Sequence, residues 1–359
     1  MFSAMPIEYH DLTPLQCGVP NQIIEDPYLK CFENIDCQNP EHFYKDLKVT
    51  LQKADKTNMV LTLGDVIHGQ RHLIGRNACV AIGASLEWPG RQLVVKMSYP
   101  SIYRESEKKL VDAAKSKVRD MSSEGKEHWV LNDFPEIFHS QGFRFNDNAS
   151  PRRCLMESLT GAAHVDRKTG IYELYDGRLL RVTVSERLFP ITDTTNVKDI
   201  AQVFLDILQC HRWLYDHAKI LHQDISMANV MYRKRPSDNK VYGVLNDFDI
   251  SFSQTEAASL HRTGTLPYMA HDLLGQSDIG HLYRHDVETL YYVLLMLCCR
   301  YEIVEIERVP ILRPLPKDPS DMLFAEWFNR YLTWGSLSAK KTYSSLLHVG
   351  HQRAYTVTT

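Results

Sequence analysis

The 359-residue chain lacks most of the features that assign a protein quickly. Its eight cysteines, Cys17, Cys31, Cys37, Cys79, Cys154, Cys210, Cys298 and Cys299, include no CxxC pair. That leaves no zinc-finger spacing and favours reduced thiols over a disulfide framework. The opening MFSAMPIEYHDL has no basic stretch leading into an apolar core, so no secretory leader is expected. The longest apolar run, Leu290–Cys299, is half of the roughly 20 residues that a membrane span needs. Charge of one sign is missing too. With 41 Lys+Arg against 44 Asp+Glu, the net charge is -3. There is then no global basic surface for nucleic acid and no acidic tail. Gly (17) and Pro (16) are too few for a collagen or a low-complexity chain. No internal repeat is found. These absences predict an intracellular globular protein, cytoplasmic or nuclear, with no nucleic-acid or membrane partner.

What is present is ordinary globular composition, 44% hydrophobic and 24% charged, on a chain long enough for a sizeable core. Residues 1–58 carry turn-formers and one short helical stretch over about 41–54, and read as an N-terminal extension. From Val60 the texture turns β-rich: Val60–Ile67, Ala78–Ile82 and Arg91–Met97, the last with a single lysine, Lys96. Ser101–Val118 reads as a helix with Tyr103, Leu110, Val111, Ala114 and Val118 on one face. Glu107 shares that inward face, where a carboxylate needs a cationic partner. Residues 119–153 read as loop and Leu179–Val184 as a strand. Asp199–His217 is an amphipathic helix built on Ile200, Val203, Phe204, Ile207, Leu208 and Leu214. Val230–Arg233 and Val241–Leu245 form a hairpin. Asp286–Cys299, apolar all round, reads as a buried helix. The order predicts an α+β chain in two lobes: a β-rich lobe at 59–184, a mainly helical lobe at 185–345, and a tail at 346–359.

One stretch carries chemistry. Leu221–Val230 reads His222-x-Asp224-x4-Asn229, between a helix and a hairpin whose second arm runs into Asn246-Asp247-Phe248-Asp249. The protein-kinase signature set has the same layout. An aspartate there can accept the proton of an attacking hydroxyl. An asparagine and a second aspartate supply hard oxygen donors for a metal–phosphate cluster. Such chemistry needs positioning and charge neutralisation more than covalent catalysis, so oxygen ligands and one lysine suffice. Each motif alone is weak; their order is not. No G-x-S-x-G surrounds Ser226, so a serine nucleophile is not expected. His281-x3-His285 reads as a helix start with solvent-facing histidines rather than a metal site.

His222–Asn229, Asp247–Asp249, Gly264–Ala270 and His285–Glu288 together resemble the fungal-type protein kinase family, a divergent branch of the protein-kinase-like fold. Gly75-Arg76, Tyr103–Glu107, Trp334 and Lys340 look like that family too. The resemblance spans about residues 60–345 and implies a bilobal fold acting on ATP with Mg²⁺. Carried over, Asp224 is the catalytic base, Asn229 and Asp247 are the magnesium ligands, and Lys96 contacts the α/β phosphates, held by Glu107. Gly75 falls in the phosphate loop. His222 braces the catalytic loop and Asp286 anchors its backbone. Residues 185–188 would meet the adenine.

The chain departs from the general kinase pattern in several places. One glycine of three stands in the phosphate loop. Gln223 replaces the arginine beside the catalytic aspartate, Ser226 replaces a γ-phosphate lysine, and Asp249 replaces the glycine of D-F-G. The expected activity is transfer of the ATP γ-phosphate to protein serine or threonine, with the protein substrate and oligomeric state undefined. A pseudokinase that binds nucleotide without turnover, and a small-molecule phosphotransferase of the aminoglycoside or choline kinase type, stay open as alternatives.

Overall fold

The computed structural model describes residues 45–69, 78–121, 128–144, 178–235, 238–253, 264–275, 280–306 and 309–315. The fold mixes α and β. Two compact units divide the described residues. One takes those up to Lys108 together with Glu136–Arg187, and the other takes Lys109–Pro135 and those from Leu188 onward. No helix among the described residues is long and apolar enough to cross a membrane.

The first unit is a six-stranded antiparallel sheet. Its strands are β1 (Lys48–Gln52), β2 (Asn58–Gly69), β3 (Cys79–Ala84) and β4 (Leu93–Ser98), then β5 (Ile137–Arg144) and β6 (Leu179–Glu186). Helix α1 (Glu107–Met121) follows β4, and its residues Glu107 and Lys108 belong to this unit. The sheet order is β1-β2-β3-β4-β6-β5. Period-two alternation turns Val49, Leu51, Met59, Leu61, Leu63, Leu93, Val95, Met97, Val182 and Val184 into one core. Lys96 therefore points to the other face, where the register sets it beside Val80 on β3 and Thr183 on β6. The backbone N–H of Gln52 on one edge strand donates to Gln141 Oε1 on the other at 2.7 Å. That bond ties the two edge strands at one point.

Three sequence expectations change here. Residues 48–52, read as part of a helix inside the extension, form β1, because Val49 and Leu51 alternate with Lys48 and Thr50 and pair with β2. The helix expected from Ser101 begins at Glu107. Ser101 is bridged to Arg178 instead, and Tyr103 is 83% exposed rather than on the inward face. The stretch read as loop contains β5, whose alternation is blurred by the polar His139, Ser140 and Gln141 of an edge strand.

The second unit holds the rest of α1, with Leu110, Val111, Ala114 and Val118 buried. A 3-10 turn (Trp129–Asn132) precedes β7 (Phe189–Pro190) and helix α2 (Val197–Trp213). Asn196 caps α2 by accepting the Lys198 N–H at 2.9 Å. A π-helical turn (Leu214–Ala218) closes at Lys219, in left-handed conformation. Strands β8 (Ile220–Leu221), β9 (Val230–Lys234), β10 (Val241–Leu245) and β11 (Phe252–Ser253) come next. Helices α3 (His271–Gly275) and α4 (Tyr283–Arg300) lead into the hairpin β12 (Tyr301–Ile306) and β13 (Val309–Pro314). Strands β10, β9 and β7 form one small sheet, and β11 pairs with β8.

Val203 and Ile207 of α2, Val230 and Leu245 of the hairpin, and Leu290, Val293 and Leu297 of α4 share a core. A Cβ at Gly243 would collide with the Val203 carbonyl, so only glycine lets α2 lie this close to β10. Leu208, expected on the inward face of α2, is exposed. Helix α4 is not buried all round, since Tyr291 and Cys298 reach solvent.

Candidate active site

In the first unit Lys96 Nζ lies 3.7 Å from Glu107 Oε2, with both side chains largely buried. Strand β4 fixes the lysine by its register, and the first turn of α1 fixes the carboxylate. The join between them is clamped by Arg181, a 5%-exposed residue of β6. Its guanidinium donates to the carbonyls of Arg104 (2.7 Å) and Glu105 (2.9 Å), just before the helix starts. Arg181 is not among the site residues expected from the sequence. Its signal was an arginine inside an otherwise apolar strand, which needs a buried acceptor.

In the second unit the hairpin register places Val230 opposite Leu245, and the Asn246 N–H donates to the Asn229 carbonyl at 2.9 Å. Asn229 and Asp247 therefore leave the same end of the β9–β10 hairpin. Asn229 Nδ2 donates to the Asp224 carbonyl at 2.7 Å. Its amide nitrogen is thus engaged with the loop, and its oxygen is the end that could ligate a cation. Asp247 has φ 65 and accepts the Asp249 N–H at 3.3 Å. Asp249, in the glycine position of D-F-G, is 3% exposed. The donor set at the hairpin end, an amide oxygen and a carboxylate, suits a hard cation such as magnesium.

Asp224 is half-buried, and its Oδ1 accepts the Thr265 hydroxyl at 2.7 Å. The residue before it, Gln223, has φ 67, a left-handed conformation uncommon outside glycine and asparagine. Gly264 packs against this turn with φ 129, and a Cβ there would come 3.2 Å from the Gln223 carbonyl oxygen. The pocket under Asp224 is lined by Gln223, Asp224, Gly264, Thr265, His281 and Thr289, among others. It holds about 10 Å³, room for one water at most.

His222 is fully buried, edge-on to Phe248 at 4.9 Å. Its Nε2 is 2.9 Å from the Asn246 carbonyl, and its Nδ1 accepts the Asp224 N–H at 3.4 Å. A carbonyl can only accept, so Nε2 carries the proton and the ring is neutral. Burial holds its pKa below the ordinary value, against the pull of Asp286, Asp224 and Asp247.

Asp286 on α4 is 1% exposed and accepts from the backbone N–H groups of His222 (2.8 Å) and Gln223 (3.1 Å). It also accepts from His211 Nε2 at 2.8 Å and His281 Nε2 at 2.6 Å. Burial works against its ionisation, but the two imidazole donors outweigh it and hold the carboxyl well below the usual range. The histidines at 281 and 285 are not solvent-facing as expected. The His285 side chain is fully buried, and that of His281 is 10% exposed and turned onto Asp286.

Of the expected site residues, Lys96 and Glu107 meet in one unit, and Asp224, Asn229 and Asp247 cluster in the other. Gly75 lies outside the described residues, as do Arg76, Trp334, Lys340 and the tail 346–359. A family model described as "Fungal protein kinase" matches residues 37–298, well over half of the chain. No curated protein matches the chain at a significant level.

Proposed function

The chain belongs to the fungal protein kinase family, and from that premise we propose that it transfers the γ-phosphoryl group of ATP to serine and threonine hydroxyls of other proteins. In this reading residues 59–184 and 185–345 are the two lobes of a bilobal kinase that works in the cytoplasm or nucleus on a protein partner. Asp224 accepts the proton of the attacking hydroxyl as its oxygen bonds to the γ-phosphorus. The bond to the β–γ bridging oxygen breaks, and ADP leaves with the electron pair. Lys96, oriented by Glu107, pairs with the α/β phosphates, and Gly75 is the glycine this reading assigns to phosphate binding. Asn229 and Asp247 would hold magnesium, which supplies charge neutralisation on the phosphates.

The observation that carries this reading is the hydrogen bond from the Thr265 hydroxyl to Asp224 Oδ1 at 2.7 Å. An aliphatic hydroxyl already reaches the carboxylate as a donor, in the role an acceptor serine or threonine must play. One observation favours a second reading, a nucleotide-binding pseudokinase. Asp249 puts a buried carboxylate where the D-F-G glycine would stand, and its N–H engages the metal-binding candidate Asp247.

The test is transfer from labelled ATP with magnesium, wild type beside Asp224→Ala, onto generic protein acceptors, with aminoglycosides and choline run in parallel. Protein-directed transfer lost in Asp224→Ala by roughly a thousandfold or more is the expected result. Chelation of the divalent ion should abolish it as well. Equal background in both proteins, with Mg-ATP still raising Tm, would replace the enzyme by the pseudokinase. Transfer to the small molecules alone would move the substrate class.

A further inference from the structure

The catalytic-loop turn is held from below by an assembly the phosphotransfer reading does not use. We infer that His281 is a positioning residue for Asp224, acting through Asp286 on the Gln223 turn; the inference rests on the kinase reading proposed above.

The donors on Asp286 divide between its two oxygens. Its Oδ2 receives the His211 imidazole and the His222 N–H, each at 2.8 Å. Its Oδ1 receives the His281 imidazole at 2.6 Å and the Gln223 N–H at 3.1 Å. Each oxygen takes one ring and one backbone amide at short range, and Oδ2 also shares the Gln223 N–H at 3.4 Å. Oδ1 is the nearer of the two oxygens to the N–H of Gln223, the left-handed residue directly before Asp224.

A left-handed backbone at a residue with a long side chain persists only where its surroundings hold it. Without the His281 donor, Oδ1 keeps only the longer bond among these. A buried carboxylate short of donors gains a proton, and a protonated oxygen turned toward an N–H repels it. The Gln223 turn would relax and carry Asp224 with it.

The two histidines are not equivalent. His211 is 1% exposed and stacks on Tyr283 at 5.1 Å, as part of the helix packing. His281 precedes α4 and lines the small pocket under Asp224 with Gln223, Thr265 and Thr289. It therefore touches the anchor and lines the same pocket as Asp224. Its ring neighbour His285 lies edge-on at 5.5 Å and is occupied with the Leu282 N–H.

Two variants separate a donor from a filler. Gln places its amide nitrogen as many bonds from Cα as the imidazole Nε2, so His281→Gln keeps the N–H donor. His281→Leu fills the space and removes it. In the full-length protein, His281→Leu should lower kcat by roughly tenfold to a hundredfold, the effect of one hydrogen bond to a charged group. KM for Mg-ATP should stay within about twofold, and His281→Gln should keep kcat within about threefold of wild type.

Amide hydrogen exchange at Gln223 and Asp224 gives a readout that needs no activity. It should accelerate in His281→Leu and stay near wild type in His281→Gln. Unchanged exchange and kcat in His281→Leu would overturn the inference. So would equal losses in both variants, which would assign His281 to ring packing. An inactive wild type would instead overturn the kinase reading, and the exchange comparison would still decide the role of His281.

Discussion

At the scale of single residues, the candidate site depends on backbone conformations that most side chains avoid. Gln223 and Asp247 are both left-handed, and Gly264 at φ 129 seats the following segment against the Gln223 carbonyl. Gly264→Ala would strain its own backbone and push a Cβ to 3.2 Å from that carbonyl. The carbonyl belongs to the turn that presents Asp224, so the disturbance is local to the proposed base. The expected outcome is roughly a tenfold loss of kcat with a destabilisation of about 1–2 kcal/mol, read by transfer kinetics beside urea unfolding. The residues at this scale that were legible in the sequence are those with fixed spacing: Asp224, Asn229 and Asp247 share one loop and one hairpin. Their supports were not. His211 and His281 reach Asp286 from two other segments, and no spacing rule links Arg181 to residues 104 and 105. Such partners become visible only when the backbone closes on a buried carboxylate or guanidinium.

At the scale of elements, the start of α1 decides where Glu107 stands. Arg104 and Glu105 precede the helix and turn their carbonyls to Arg181, which leans across from β6. Arg178 works beside it, donating to the Tyr99 carbonyl at 3.0 Å. Together they tie the connection to the sheet that carries Lys96. Arg181→Gln keeps a polar side chain but cannot reach two carbonyls at once. The tilt of the first turn should change and loosen the Lys96–Glu107 pair. Weaker Mg-ATP binding by about tenfold is expected, measured by calorimetry, with no loss at the Asp224 side. A variant that binds nucleotide as tightly as wild type would show that α1 places Glu107 unaided.

Element by element, the strong patterns were readable: Leu93–Ser98, Leu179–Glu186, Val197–Trp213 and the β9–β10 hairpin all lie where periodicity puts them. The failures sit at sheet edges and helix starts. Strands β1 and β5 pair on one side only, so half of their surroundings exerts no pressure on residue choice. The helical face counted from Tyr103 extended a true pattern past the point where Arg181 captures the chain.

At the scale of the whole molecule, sequence order conceals which residues fold together. Residues 109–135 sort with the second unit although strands of the first precede and follow them, a grouping set by contacts that local periodicity does not record. That unit also sets the pH response of stability. Asp133 is 4% exposed, at the end of the 3-10 turn. Burial pushes its carboxyl up to about 8, helped by repulsion from Asp206, while Arg233 and Arg235 pull the other way. Asp206 itself accepts the Gly243 N–H at 2.9 Å and the Gln202 amide at 2.6 Å. A folded-state value above the unfolded one means the folded state binds the proton more tightly. The Asp133 contribution is therefore complete below about pH 4 and is lost as pH rises toward 8. His222 and Asp286 act in the opposite sense. Both are lowered in the folded state, so their contributions are present above their unfolded values and are lost as pH falls. The sum is a stability maximum on the acid side of pH 8, with Asp133 shaping the alkaline limb. Asp133→Asn holds a neutral side chain of the same shape at every pH. It should leave stability below about pH 4 within about 0.5 kcal/mol and raise it progressively above that, by roughly 1–3 kcal/mol or more at pH 9, measured by urea unfolding across that range. Parallel curves for wild type and Asp133→Asn would show that the carboxyl at 133 ionises in the fold as freely as in the open chain, and the alkaline limb would then have another source.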